Sequence, residues 1–309
     1  VSKIHQAVHK PKALPNFFFG LVASVSIIAS VSAQQFETDL TGVIDFHVHA
    51  GPDSRPREFN DFEAVRLAEE AGLRGVVLKN HFTITSDRAA LAATTVDDLK
   101  VFGGVALNRA VGGINLEAIR QMVAFSSEHG KVVWLPTFDS EFYVRRAGSN
   151  DGFVSVMRNG SVVPELLEVF SLIAQHNLVL AMGHSSPQEV LHLLPIAREM
   201  GVENILVTHV FGQNASLEQM QQMASLGAIL ELDWLEVYSD ALDIFAYVDA
   251  INTLGADNFL ISSDFGQAGN PDHASGMRAF IQALRTAEIN SAQIDLMARK
   301  NPAILLGLD

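Results

Sequence analysis

The chain has 309 residues, 48% of them hydrophobic, and no cysteine, so it can bury a large core but has no disulfide and no thiolate metal site. Any transition metal must be held by His, Asp, Glu or a modified Lys. A formal charge of -14 without a Lys/Arg cluster argues against a nucleic-acid partner, which needs a basic face against phosphate, and leaves small-molecule chemistry.

Lys3, Lys10 and Lys12 precede an apolar stretch from Phe17 to Val31, and Val31 and Ala33 are small residues where an export peptidase would inspect the chain. Residues 1–33 are therefore expected to be a signal peptide, with a secreted or periplasmic mature chain beginning near Gln34. The alternative is a helix packed on a cytoplasmic domain. The apolar run is shorter than the ~20 residues of a spanning helix, so no stable membrane insertion is expected.

From residue 42 one pattern repeats: a β-branched apolar run ending in polar residues, a loop, then an amphipathic segment ending near a glycine. The runs are GVIDFHVH (42–49), GVVLKNH (75–81), VFGGVALNR (101–109), KVVWLPTFD (131–139), LVLAMGH (178–184), NILVTH (204–209), GAILELD (227–233) and NFLISSD (258–264). Continuous apolar strands alternating with helices indicate a parallel sheet covered by helices. Eight units in about 270 residues fit one (β/α)8 TIM barrel, a single domain over residues 34–309. An open doubly wound sheet is the runner-up, but no GxGxxG turn follows the first strand. Asn60 with Glu63, Ser186 with Glu189 and Ser216 with Gln219 have capping-box spacing. Gly72, Gly130, Gly201, Gly227 and Gly255 sit where helix C-caps are expected. After the fourth strand, residues 140–163 form a longer insertion, and alternation around Asn159-Gly160 signals a hairpin. Over the mouth of a barrel it would act as a lid or as a subunit contact in a homo-oligomer.

Barrel chemistry gathers at the C-terminal ends of strands. Those ends carry His47 and His49, Lys79 and His81, Asn108 and Arg109, Thr137 and Asp139, His184, His209, Asp233 and Asp264; five of the eleven histidines are there. His47 and His49, two apart, share a strand face, with Phe46 and Val48 expected on the other. By the same parity His81 faces as Lys79 does. Arg55 and Arg109 are candidates for holding a substrate carboxylate, since guanidinium pairs bidentately with planar anions. Trp134 reads as packing, and Asp53 as part of the turn after Gly51-Pro52.

HVH at 47–49, GH at 183–184, TH at 208–209, SSD at 262–264 and the closing NPAILLGL make the chain resemble the amidohydrolase superfamily of metal-dependent barrel hydrolases from about residue 42 to 309. DFHVHAGPD, LKNHF, ALNRAVGG and LAMGHSS resemble a bacterial branch whose members mostly lack an assigned substrate. The resemblance implies that His47 and His49 bind a divalent metal, most readily zinc, that His184 and His209 bind the same or a second ion, and that Asp264 is a ligand and takes a proton from the metal's water. His81 would be a substrate contact or an extra ligand. Binuclear members often use a carboxylated lysine from the fourth strand, which has none here. Lys79, ending the second, is left with three alternatives: a carboxylated bridge, a substrate-anion binder, or an ion pair to Asp139 or Asp264. The implied activity is hydrolysis of an amide, lactone, cyclic imide or ester. Decarboxylation of an unsaturated or aromatic acid, and a non-catalytic metal-binding barrel, stand as alternatives.

Overall fold

A computed structural model describes residues 38–308 except 126 and 127; the expected signal peptide lies outside the described residues. The described residues hold ten strands in chain order: β1 Ile44–His49, β2 Gly75–Lys79, β3 Lys100–Ala106, β4 Gly130–Trp134, β5 Met157–Arg158, β6 Ser161–Val162, β7 Val179–Ala181, β8 Asn204–Val207, β9 Ile229–Asp233 and β10 Phe259–Ser262. Eight of them form one parallel sheet in the order β1-β2-β3-β4-β7-β8-β9-β10. Val48 bridges Phe265, just past β10, and His49 N–H donates to Phe265 O at 2.8 Å. The ring is thereby nearly closed, and with helices between successive strands it is a (β/α)8 barrel.

Two apolar layers hold it. Outward-facing strand residues such as Val76, Val133, Leu180 and Leu230 pack with helix residues such as Val65, Phe170, Leu193 and Phe280. Inside, Ile44, Phe46, Val77, Phe102, Trp134, Leu206 and Leu260 pack with Ala303, Leu305 and Leu306 of the C-terminal helix Asn301–Leu306. Asn301 Nδ2 donates to the carbonyls of Ala256 and Phe259, which sets that helix at the start of β10. The barrel's N-terminal end is therefore plugged and its C-terminal end left for chemistry.

Capping boxes form at Asn60/Glu63, Ser186/Glu189 and Ser216/Gln219, the last two with hydroxyl oxygens accepting from the third helical N–H. Gly130 departs from its expected place: it opens β4 instead of capping a helix. Phe46 departs too. The β1–β2 register shifts between Asp45 and Val48, so alternation breaks at a bulge and both Phe46 and His47 turn inward. Asp45 turns outward, where its carboxylate meets His273 Nδ1 at 3.2 Å. In the long connection after β4, β5 pairs antiparallel with β6, and the helix Glu141–Arg146 precedes them. No helix among the described residues is long and apolar enough to cross a membrane.

Candidate active site

At the C-terminal end of the barrel, strands from both ends of the chain deliver polar side chains to one place. His47 Nε2 and His49 Nε2 each lie 3.1 Å from Asp264 Oδ1. Ring centroids are 5.1 Å apart for His47–His49, 4.9 Å for His47–His209 and 5.4 Å for His184–His209. Among the described residues two groups have metal-ligand spacing: His47, His49 and Asp264, and His47, His209, Glu231 and Asp233. His209 and Asp264 hold left-handed backbone, φ 50° and 51°, a conformation uncommon outside glycine that the surrounding structure has to impose. Gly183, φ 58°, is compelled: a Cβ there would lie 2.2 Å from Leu135 O. This close approach lets His184 N–H reach Pro136 O at 3.0 Å, fixing the imidazole's place.

Neighbours set the tautomers. His49 Nδ1 faces Lys79 O at 3.1 Å; a carbonyl only accepts, so Nδ1–H donates to it and Nε2 is the nitrogen turned toward Asp264. His47 Nδ1 faces Glu231 Oε1 at 3.1 Å and His209 Nδ1 faces Asp233 Oδ2 at 2.5 Å, again presenting Nε2 inward, as ligating histidines are oriented. His81 differs. Its Nδ1 lies 2.9 Å from Thr137 Oγ1, which also accepts from Asn108 Nδ2 at 2.6 Å; a hydroxyl both accepts and donates, so the contact holds the ring in place with either tautomer.

Burial holds His47, His81 and His184 well below the ordinary imidazole pKa, with Lys79 and neighbouring rings adding to the effect. Burial also opposes a charge on His209, but the Asp233 and Asp264 carboxylates prevail and push it up to about 10. Burial would raise Asp264, yet His209, His49 and Lys79 hold it below the usual carboxylate value. Lys79 is pulled down by burial. Glu231 is driven well up by burial and by Asp233, and Glu236 by the same causes to about 7.

Above the cluster opens a cavity of about 610 Å³, lined by His49, His81, His184, His209 and Asp264 and walled by Arg55, Arg57, Phe138, Tyr143, Arg146 and Glu236.

Residues 42–231 match a family model described as a family of unknown function, DUF6282. The chain belongs to this family. No curated protein matches its sequence. Solved structures do share the DUF6282 chain's fold. A TatD homologue from Escherichia coli K12 is 16% identical, with 87% of this chain and 100% of that one covered and a TM-score of 0.60. An amidohydrolase from Pseudomonas aeruginosa is 11% identical, with 86% and 95% covered and a TM-score of 0.58. A probable 2-pyrone-4,6-dicarboxylic acid hydrolase from Acinetobacter baumannii is 15% identical, with 87% and 100% covered and a TM-score of 0.56. At these identities the likeness is one of fold: this DUF6282 chain has the barrel of amidohydrolase-superfamily structures.

The structure brings His47, His49, His184, His209 and Asp264 together, with Lys79 and His81 beside them. Lys79 is under the cavity floor, 1% exposed, its Nζ 2.9 Å from His47 Nε2 and 5.4 Å above the Trp134 ring. It makes no ion pair to Asp139 or Asp264 among the described residues; Asp139 accepts from Arg109 N–H instead. Arg55 reaches the cavity, whereas Arg109 is in a separate groove with Phe153, Val154 and Arg158. Asp53 does more than turn the loop, since its Oδ2 holds Arg57 Nε and Nη2, each at 2.7 Å. Sequence reasoning missed Arg57, Arg146, Glu231 and Glu236. Only Glu231 left a signal, an acid inside an apolar strand sharing Asp233's face.

Proposed function

We propose that the chain is a metal-dependent hydrolase acting on an amide, lactone, cyclic imide or ester of a small molecule. The convergence of His47 Nε2 and His49 Nε2 on Asp264 Oδ1 carries the reading: ligands ~2.0–2.2 Å from one ion sit roughly 3–3.5 Å from each other. The donor set also fits a cation because both ring nitrogens of His184 are buried without a hydrogen-bond partner among the described residues, a costly state for an imidazole facing its own kind.

His47, His49, His184, His209 and Asp264 would hold the ion, which when bound supplies Lewis acidity to a carbonyl and lowers the pKa of water toward ~7. Zinc suits the imidazole-rich, sulfur-free set. The chain does the rest. Asp264, kept ionised by the imidazoles and Lys79 around it, lines the cavity floor and is placed to take a proton and return it to the leaving group. His81 lines the cavity as a polar contact for the substrate, with Thr137 and Asn108 fixing its ring. Asp233 and Glu231 keep His209 and His47 turned toward the floor. The cavity over this cluster supports an enzyme over a metal carrier, which has no use for an open face.

The test is turnover of a panel of amides, lactones, imides and esters by the zinc-loaded full chain in oxygen-18 water. One labelled oxygen in the carboxylate product of each turnover, lost on chelation and regained with zinc, is expected. Turnover indifferent to chelation would overturn the reading, and unlabelled product with carbon dioxide released would replace hydrolysis by decarboxylation.

A further inference from the structure

The mouth cavity is cationic in a chain of formal charge -14, and its arginines are not equal. Arg57 is neutralised by Asp53. Arg55 and Arg146 have no carboxylate within ion-pair distance among the described residues. Arg146 spends one donor on Gly212 O at 2.8 Å, and the Arg55 guanidinium lies 4.0 Å from the Phe138 ring centroid and 5.9 Å from that of Phe82. Of the acids in the lining, Asp264 faces the histidine cluster and Glu236 is tied to Tyr247 Oη at 2.6 Å.

These two cations end one continuous aromatic wall. Phe138 and Tyr143 have centroids 5.3 Å apart, and the Arg146 guanidinium is 5.9 Å from Tyr143. The same two rings touch the floor, 5.4 and 5.3 Å from His184. A flat unsaturated body beside this wall meets Tyr143 and the free edge of Phe138, whose ring already carries Arg55 and His81 at 4.0 Å, in stacked or edge-to-face contact, and leaves its charged end to guanidinium N–H groups. Guanidinium forks match a carboxylate in geometry and charge, and exposed arginines can close on it.

We propose that the cavity takes a planar organic acid, an aromatic or conjugated carboxylate, with its body against the Phe138–Tyr143 wall and its carboxylate at one of the wall's two cationic ends, Arg55 or Arg146. This rests on the cavity being the substrate site and narrows the substrate class that the hydrolase reading leaves open.

Benzoate, benzamide and acetate are the probes, titrated calorimetrically into the full chain, both zinc-loaded and chelator-treated. The variants are Arg55→Met, Arg146→Met, the double Met variant and the double Lys variant. Benzoate is expected to bind the chelator-treated chain at least ~10-fold more tightly than benzamide or acetate. The double Met variant should lose roughly 10–100-fold in benzoate affinity while benzamide binding stays, and the double Lys variant should keep part of it. The proposal is overturned if benzoate and benzamide bind alike, if the double Met variant keeps wild-type affinity, or if the benzoate preference needs zinc, which would report ligation by the ion. Should chelation unfold the chain, the wild-type to double-Met ratio with zinc present decides by the same criterion. Failure of the hydrolase reading shows separately, as absent turnover with the benzoate preference intact.

Discussion

The barrel interior has two halves built from the same strands. Near the strand starts Ile44, Phe46, Val77, Phe102 and Leu260 meet Leu305 and Leu306 of the C-terminal plug. Near the ends His47, Lys79, Glu231, Asp233, Ser262 and Asp264 are as deeply buried, none above 8% exposure. Burial stabilises the first set directly. It penalises the second, most of whose groups are offset by a partner, while Glu231 Oε2 has none among the described residues and keeps the full cost. The fold is anchored at the apolar end, and the polar end gives up stability for a constellation of lone pairs.

The sharpest way to break this contrast is to truncate each half in turn. Phe102 is in the apolar half on β3, which supplies no candidate ligand, and Phe102→Ala should cost ~3–5 kcal/mol of stability. Denaturant unfolding with zinc bound reads it; a loss under ~1 kcal/mol would mean that this half does not anchor the barrel. In the polar half Asp264→Asn should leave the unfolding midpoint nearly unchanged while turnover falls at least ~10²-fold. Unchanged turnover would move the base elsewhere, with His81 the next to test.

Lys79 sharpens the comparison because it is at the seam, over Trp134 and under the floor. That place favours a role toward cations over one toward a substrate anion. Lys79→Ala is expected to lose one ion per chain by elemental analysis, and Lys79→Arg, which keeps the charge but cannot carry a carboxylate, should not restore it. Full metal content with lost activity in both variants would return Lys79 to the substrate.

The smallest effect belongs to a buried polar pair outside both halves. Burial opposes a charge on His273, but its hydrogen bond to Asp45 raises it above the ordinary imidazole value. A raised folded pKa contributes stability fully below the unfolded value of 6.5 and loses it as pH rises through the folded one. His273→Gln should therefore cost ~1–2 kcal/mol at acidic pH and less at pH well above neutral. A deficit that is constant with pH would show that His273 does not titrate.

Much of this was legible in the chain. All eight barrel strands follow from apolar runs, and His47, His49, His184, His209 and Asp264 stand out because barrel chemistry gathers at strand ends. The rest was not, for reasons of geometry. Strict alternation places Phe46 with Val48, and only the register shift against β2 shows that it turns inward. Arg55, Arg109 and Arg146 are all loop or loop-helix arginines in sequence. What separates them is the path of the connection after β4, which carries Tyr143 and Arg146 to the mouth and leaves Arg109 in another groove. His81 looks like a fifth imidazole ligand in sequence, and only the structure shows its Nδ1 taken up by Thr137.

The central claim is that this barrel end holds a divalent cation, and anomalous diffraction at the zinc edge from zinc-loaded crystals tests it most directly. The expected peak lies ~2.0–2.2 Å from Nε2 of His47, Nε2 of His49 and an oxygen of Asp264. A fully loaded crystal with no peak among these residues, or with zinc only at surface histidines, would contradict it.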